Sequence, residues 1–129
     1  MQPYLFRPLL LLLGLMLLVS TVSAQETSIE DAEKLMVFQM EALKAKDHQK
    51  FLERGNAAFR NLMDEYFFDT LVMQRQADIA DGYRLEYLGN IRRIGMHRHL
   101  WKVHTDNDKH QLLGSLSISH GKVVGFNLE

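Results

Sequence analysis

The chain changes its hydrophobic period once, near Gly82, and that change limits the folds open to it. Before Gly82 apolar residues recur three and four apart, the spacing that lays them along one face of a helix. After it they alternate, the spacing that sends them to one face of a strand. Helices followed by consecutive strands predict an α+β domain, with three helices packed on one face of a four-stranded antiparallel sheet.

In the helical half, Thr27-Ser28-Ile29-Glu30 has the form of a capping box, with Thr27 as the cap. Behind it Ile29, Ala32, Met36, Met40 and Leu43 form an apolar stripe that Leu35 broadens, and the first helix is expected to end at Lys44 to Lys46. Asp47 predicts the cap of a short second helix through Arg54, closed by Gly55-Asn56. A long third helix is expected from Ala57 to about Ile79. Its apolar face would be Phe59, Leu62, Met63, Tyr66, Phe67, Thr70, Leu71, Gln74 and Ala77, with Phe68 and Val72 on the flank.

In the strand half, Tyr83, Leu85 and Tyr87 alternate with Arg84 and Glu86. A long second strand is predicted from Ile91 to Thr105, with a bulge where Leu100 and Trp101 disturb the phase. Asp106-Asn107-Asp108 forms a polar turn. Leu112, Gly114, Leu116 and Ile118 mark a third strand, Ser119-His120-Gly121-Lys122 a tight hairpin, and Val124, Phe126 and Leu128 a last strand.

Ahead of this domain stands a leader with one basic residue, Arg7, an unbroken apolar run from Leu9 to Val19, and small residues leading to Ala24. Basic start, short apolar core and small-residue site are the three parts of a secretory signal, with cleavage expected between Ala24 and Gln25. The apolar run is too short for the roughly 20 residues that cross a bilayer. Residues 1–24 are thus read as a signal peptide and residues 25–129 as one domain. Export normally favours disulfides, yet the chain has no cysteine. It also lacks an Asn-x-Ser/Thr acceptor, and the two absences together fit a bacterial periplasm, with secretion further afield as the other destination. Fifteen basic against sixteen acidic side chains, mixed along the sequence, give no footprint for nucleic acid. Membrane contact is expected only through the signal before cleavage.

The order of these marks resembles the nuclear-transport-factor-two-like superfamily, the cystatin-like α+β domains that include SnoaL-like and ketosteroid-isomerase-like proteins. The marks are Ala42-Leu43-Lys44-Ala45-Lys46-Asp47 before Phe51 and Leu52, the long helix, and Gly82 at the first strand. Trp101-Lys102-Val103 in mid-sheet and His120-Gly121-Lys122-Val123-Val124-Gly125-Phe126 near the end complete the set. The resemblance implies a curved sheet wrapping a long helix into a cone, with a pocket between them. It implies no single activity, because that architecture carries isomerases, dehydratases, ligand binders and assembly modules.

Five residues are candidates to line such a pocket: Tyr66, Gln74, His97, His99 and Trp101. Pockets are mostly apolar with a few placed polar groups, although Tyr66 and Trp101 serve equally as core filler. His97 and His99 fall on one face of a strand, about 7 Å apart by strand rise. Such a pair suits a metal, but the sequence names no third ligand, and two sheet histidines without a metal are the commoner outcome. For acid–base chemistry the available carboxylates are Asp47, Asp64, Glu65, Asp69 and Glu86. Asp47 is better explained as a cap, Asp64 and Glu65 as a solvated face, and Glu86 as facing away from Tyr83, Leu85 and Tyr87. No cofactor motif is present.

The expected role is therefore an exported module that binds a small apolar ligand or an envelope protein, with pairing as a homodimer through its sheet open to it. A small isomerase- or dehydratase-like acid–base enzyme is the alternative, and a metal-binding accessory protein the second alternative.

Overall fold

A computed structural model describes residues 27–106 and 110–129. The leader, the cleavage site at Ala24 and Gln25, and the middle of the Asp106–Asp108 turn lie outside the described residues. The domain is α+β, helices first and sheet second: α1 (Ile29–Lys44), α2 (His48–Glu53), α3 (Ala57–Leu62), α4 (Glu65–Leu71) and a short α5 (Ala77–Ile79). The sheet follows as β1 (Tyr83–Arg93), β2 (Met96–Thr105), β3 (Gln111–Ser119) and β4 (Lys122–Leu128). Its spatial order is β1-β2-β3-β4, antiparallel throughout.

The helix caps explain where the helices start. Ser28, not Thr27, caps α1, its hydroxyl accepting from the Asp31 amide. The cap therefore lies one residue later than the capping-box form predicts, and Ile29 lies exposed before the buried stripe begins at Ala32. Asp47 caps α2 by accepting from Lys50, as its position predicts, and Asn56 caps α3 by accepting from Phe59.

The expected continuous third helix is instead broken at Met63-Asp64. The Asp64 carboxylate accepts from the Phe67 amide and starts α4 as its cap, the role that a solvated-face reading missed. The restart resets the helical phase. Tyr66 and Phe67 therefore face solvent, as Leu62 does at the end of α3, while Phe68, placed on the flank by an unbroken helix, becomes the buried residue. Past Leu71 the helix widens into a π-helical stretch, Val72–Gln76, before α5. Replacing Asp64 with alanine is expected to cost about 1 kcal/mol, the usual worth of such a cap, read as a lowered urea midpoint.

The strand boundaries also shift. β1 runs on to Arg93, and the first hairpin turns at Ile94-Gly95, between the paired residues Arg93 and Met96. The bulge lies in β1 at Leu88, between Tyr87 and Gly89, and Leu100 and Trp101 pair without interruption. At the other hairpin both His120 and Gly121 adopt positive φ, 50° and 72°, which matches the right-handed twist of the strands they join. A second irregularity interrupts β3–β4 pairing beside Ser117 and Ile118.

Helices meet the sheet chiefly at β3 and β4, where α1 packs on β3 and α3 on β4. Edge strand β4 is held to this layer at both ends. The Asn56 amide donates to the Val123 carbonyl, Val123 donates to Arg54, and the Arg75 guanidinium donates to the Leu128 carbonyl. The core joins Ala32, Met36, Met40, Leu43, Phe51, Phe59 and Phe68 of the helices to Trp101, Val103, Leu116, Ile118 and Val123 of the sheet. The inner residues of β1, namely Tyr83, Leu85 and Tyr87, pack against this core but stay only half-buried.

Candidate functional site

Alternation along β2 sends His97, His99, Trp101, Val103 and Thr105 to the inner face, where exposure falls to 2% at His99 and to nothing at Trp101. Arg98, Lys102 and His104 take the outer face with Glu86, whose carboxylate accepts from His104 Nε2 at 2.7 Å. That hydrogen bond holds the Glu86 carboxyl below the usual carboxylate range.

Three of the five expected pocket residues therefore come together on the sheet. The His97 and His99 rings stack with centroids 6.3 Å apart, and Trp101 follows 6.0 Å beyond His99. Tyr66 and Gln74 do not join them. Tyr66 is 75% exposed on α4, and Gln74 lies exposed on the π-helical stretch, both displaced by the helix restart at Asp64.

Two residues that the sequence pattern had not singled out complete the cluster. The Leu88 bulge puts an extra residue into β1, so that Asn90 rather than Gly89 stands opposite His99, and Arg92 stands opposite His97. Asn90 thereby shares the inner face with Tyr87. Its amide donates to the Tyr87 hydroxyl at 3.1 Å, and the hydroxyl is hydrogen-bonded to His99 Nδ1 at 2.9 Å. Where Nδ1 accepts that bond the neutral ring carries its proton on Nε2, and where Nδ1 donates it Nε2 is the acceptor.

That Nε2 is buried and has no hydrogen-bond partner among the described residues, and the same holds for Trp101 Nε1. Nε2 lies at the end of the ring away from Cβ, so it projects from the sheet toward the helical layer. Two buried ring nitrogens without partners thus belong to residues two apart on the inner face of β2. A buried donor left unpaired costs about 1–3 kcal/mol, which makes the pair the most unusual feature of the inner face. Gln39 on α1 is the third buried side chain with an unpartnered polar atom among the described residues. Its Nε2 donates to the Phe51 carbonyl at 2.9 Å, while its Oε1 has no partner among the described residues. At the start of β1 the Tyr83 hydroxyl donates to Glu41 at 3.0 Å, and burial pushes the phenol's pKa up.

Burial pushes the His99 pKa below its ordinary 6.5, and the neighbouring His97 acts in the same direction. The unfolded chain then takes up a proton more readily than the folded one. The stability linked to His99 is full above about pH 6.5 and is lost as the pH falls through the lowered native value. The melting temperature is expected to drop between about pH 7 and about pH 5, and His99→Phe to flatten that slope.

His99 Nδ1 is occupied by Tyr87, and among the described residues no group of three or more His, Cys, Asp or Glu is placed to hold an ion. The candidate carboxylates are also elsewhere: Asp47 and Asp64 cap helices, Glu65 and Asp69 are exposed on α4, and Glu86 faces outward. Among the described residues no helix is long and apolar enough to cross a membrane. No protein-family model matches the chain, and no curated protein or solved structure matches it either.

Proposed function

We propose that this chain is an exported module, resident in a bacterial periplasm, that binds a small apolar molecule against the inner face of its sheet. Its fold would then be a cone of the nuclear-transport-factor-two-like kind. One observation carries the reading: the Asn90–Tyr87–His99 relay and the Trp101 indole present polar groups in a face that is otherwise apolar. That face is only half-covered along β1. A few oriented polar groups in an apolar concavity are the ordinary make-up of a small-molecule site. The leader of residues 1–24 supports export.

The acid–base alternative has one observation in its favour, the neutral His99 paired with Tyr87. Acid–base catalysis needs a second group beside the base, however, and none of the candidate carboxylates shares the inner face with His99. Binding is therefore the better reading.

Native mass spectrometry of the protein recovered from its own exported fraction tests the proposal. The expected species begins at Gln25 and carries a non-covalent organic mass that leaves on denaturation. A chain that retains its leader would count against the compartment. An apo species whose melting point no small apolar compound raises would count against binding and transfer the role to a protein partner.

A further inference from the structure

Independently of the small-molecule reading, we propose that copies of this chain associate by seating the β1–β2 hairpin of one on the exposed α3–α4 face of another. Apolar contact and arginines set against carboxylates would hold the two together.

Single exposed apolar residues are ordinary, whereas a cluster of them marks a contact surface. The helices carry four large ones close together in the chain, Leu62, Tyr66, Phe67 and Met73, with exposures from 51% to 80%. The Tyr66 and Phe67 rings meet edge-on at 5.8 Å and form one surface, and Met73 follows about two helical turns beyond Tyr66. Three more, Leu88, Ile91 and Ile94, lie toward the hairpin end of β1, with Ile94 fully exposed at the turn. Both groups stay in solvent, so the fold does not lay one on the other. Only a second molecule can cover them.

Charge decides which molecule. From Asn61 to Gln74 the chain has three acids, Asp64, Glu65 and Asp69, and no lysine or arginine. From Tyr87 to Trp101 it has three arginines, Arg92, Arg93 and Arg98, and no acid. The flanking cations of the helices are engaged elsewhere: Arg60 donates to the Leu52 and Glu53 carbonyls, and Arg75 to that of Leu128. Ile91 pairs with Arg98 across the ladder, and Arg93 lies two residues along, so apolar and basic groups share the outer face of the hairpin. Surfaces of opposite charge select one another, and this chain supplies both. Made reciprocally, the contact closes a two-fold dimer; made singly, it extends a row. A stable interface takes roughly 20–30 residues a side, so this smaller one should be weak and salt-sensitive.

Complementation between charge-reversed variants tests the pairing. Arg93→Glu with Arg98→Glu makes the hairpin acidic. Glu65→Lys with Asp69→Lys makes the helix face basic and spares the Asp64 cap. In analytical ultracentrifugation at low salt, the protein recovered from its exported fraction is expected to self-associate. Each variant alone should do so about tenfold more weakly, because like charges then meet. Mixed one to one, the variants should associate again, since each hairpin now finds a helix face of opposite sign. The chain has no cysteine, so a second measurement reads the contact directly. A short bis-maleimide should join an Ile94→Cys chain to a Tyr66→Cys chain in preference to joining like with like.

A parent protein that stays monomeric at millimolar concentration overturns the proposal. So does self-association that neither pair of reversals weakens, which places the interface on another surface such as the outer face of the sheet. Variants that melt like the parent yet stay apart when mixed overturn the pairing of these two surfaces, as do crosslinks between like chains alone.

Discussion

Replacing Phe51 with alanine is expected to lower the unfolding free energy by about 3–5 kcal/mol, the usual range for a fully buried phenylalanine. Three rings surround it: Phe59 at 5.7 Å between centroids, Phe68 at 5.1 Å and Phe126, edge-on, at 5.2 Å. These come from α3, α4 and β4, so Phe51 ties the short helices to the sheet. The backbone carbonyl of the same residue accepts from Gln39 on α1. A cavity at this position cannot collapse without moving all four elements. Domains of this size hold about 5–15 kcal/mol in total, so the variant should lose a large share of its stability. Urea denaturation followed by circular dichroism checks it. A loss under about 1 kcal/mol would mean that these rings repack around the gap and that the helical layer is looser than described.

The second large effect is expected at Gly114, where the error is too much volume instead of too little. Gly114 pairs with Trp101 across the sheet and lies under α1. A Cβ built there would stand 2.6 Å from Met36 Cε and 3.1 Å from Val103 Cγ2. Met36 can yield, but Met36 and Val103 are both fully buried and have little room to move into. Gly114→Ala should cost about 1–2 kcal/mol, and Gly114→Val about 3 kcal/mol, the upper part of the range for overpacked cores. In melting temperature the valine variant corresponds to a fall on the order of 10 °C. Met36→Ala in the same chain should recover part of that loss, because it removes the atom that the new side chain strikes. Additive losses in the double variant would place the cause elsewhere.

Much of this architecture was legible in the sequence, and the misses share one origin. The change of period at Gly82 separated helices from strands, and Asp47, Gly82 and His120-Gly121 punctuated the chain where their chemistry predicts. What periodicity could not register was a single residue added or removed. The Met63-Asp64 break in the helical half and the Leu88 bulge in β1 each shift the phase of everything downstream, and neither leaves a strong local signal. Asp64 followed three residues later by Phe67 carries a capping residue, but inside an apolar-periodic run it reads as surface. Gly89-Asn90 imitates a turn, whereas the real turn at Ile94-Gly95 follows two arginines and has no Asn or Asp before its glycine. The site suffered accordingly. His97, His99 and Trp101 were found because they share an unbroken strand. Tyr87 and Asn90 were missed because they meet only across the bulge, and Tyr66 and Gln74 were misplaced by the helix restart.

The strand order has a kinetic consequence. Each strand pairs only with its neighbour in the chain, and the two-residue turns at Ile94-Gly95 and His120-Gly121 make two of the three pairings nearly local. Such loops close at small entropic cost, so the meander belongs with the faster-forming sheets. The long-range step is the docking of helices made early in the chain onto β4, made last, through Arg54, Asn56 and Arg75. Residues 25–129 contain no proline, so that step has no prolyl isomerisation to wait for. A chain that crosses a membrane unfolded could thus reach its native state soon after its last strand emerges, leaving proteases and sticky neighbours little time to act on an exposed edge.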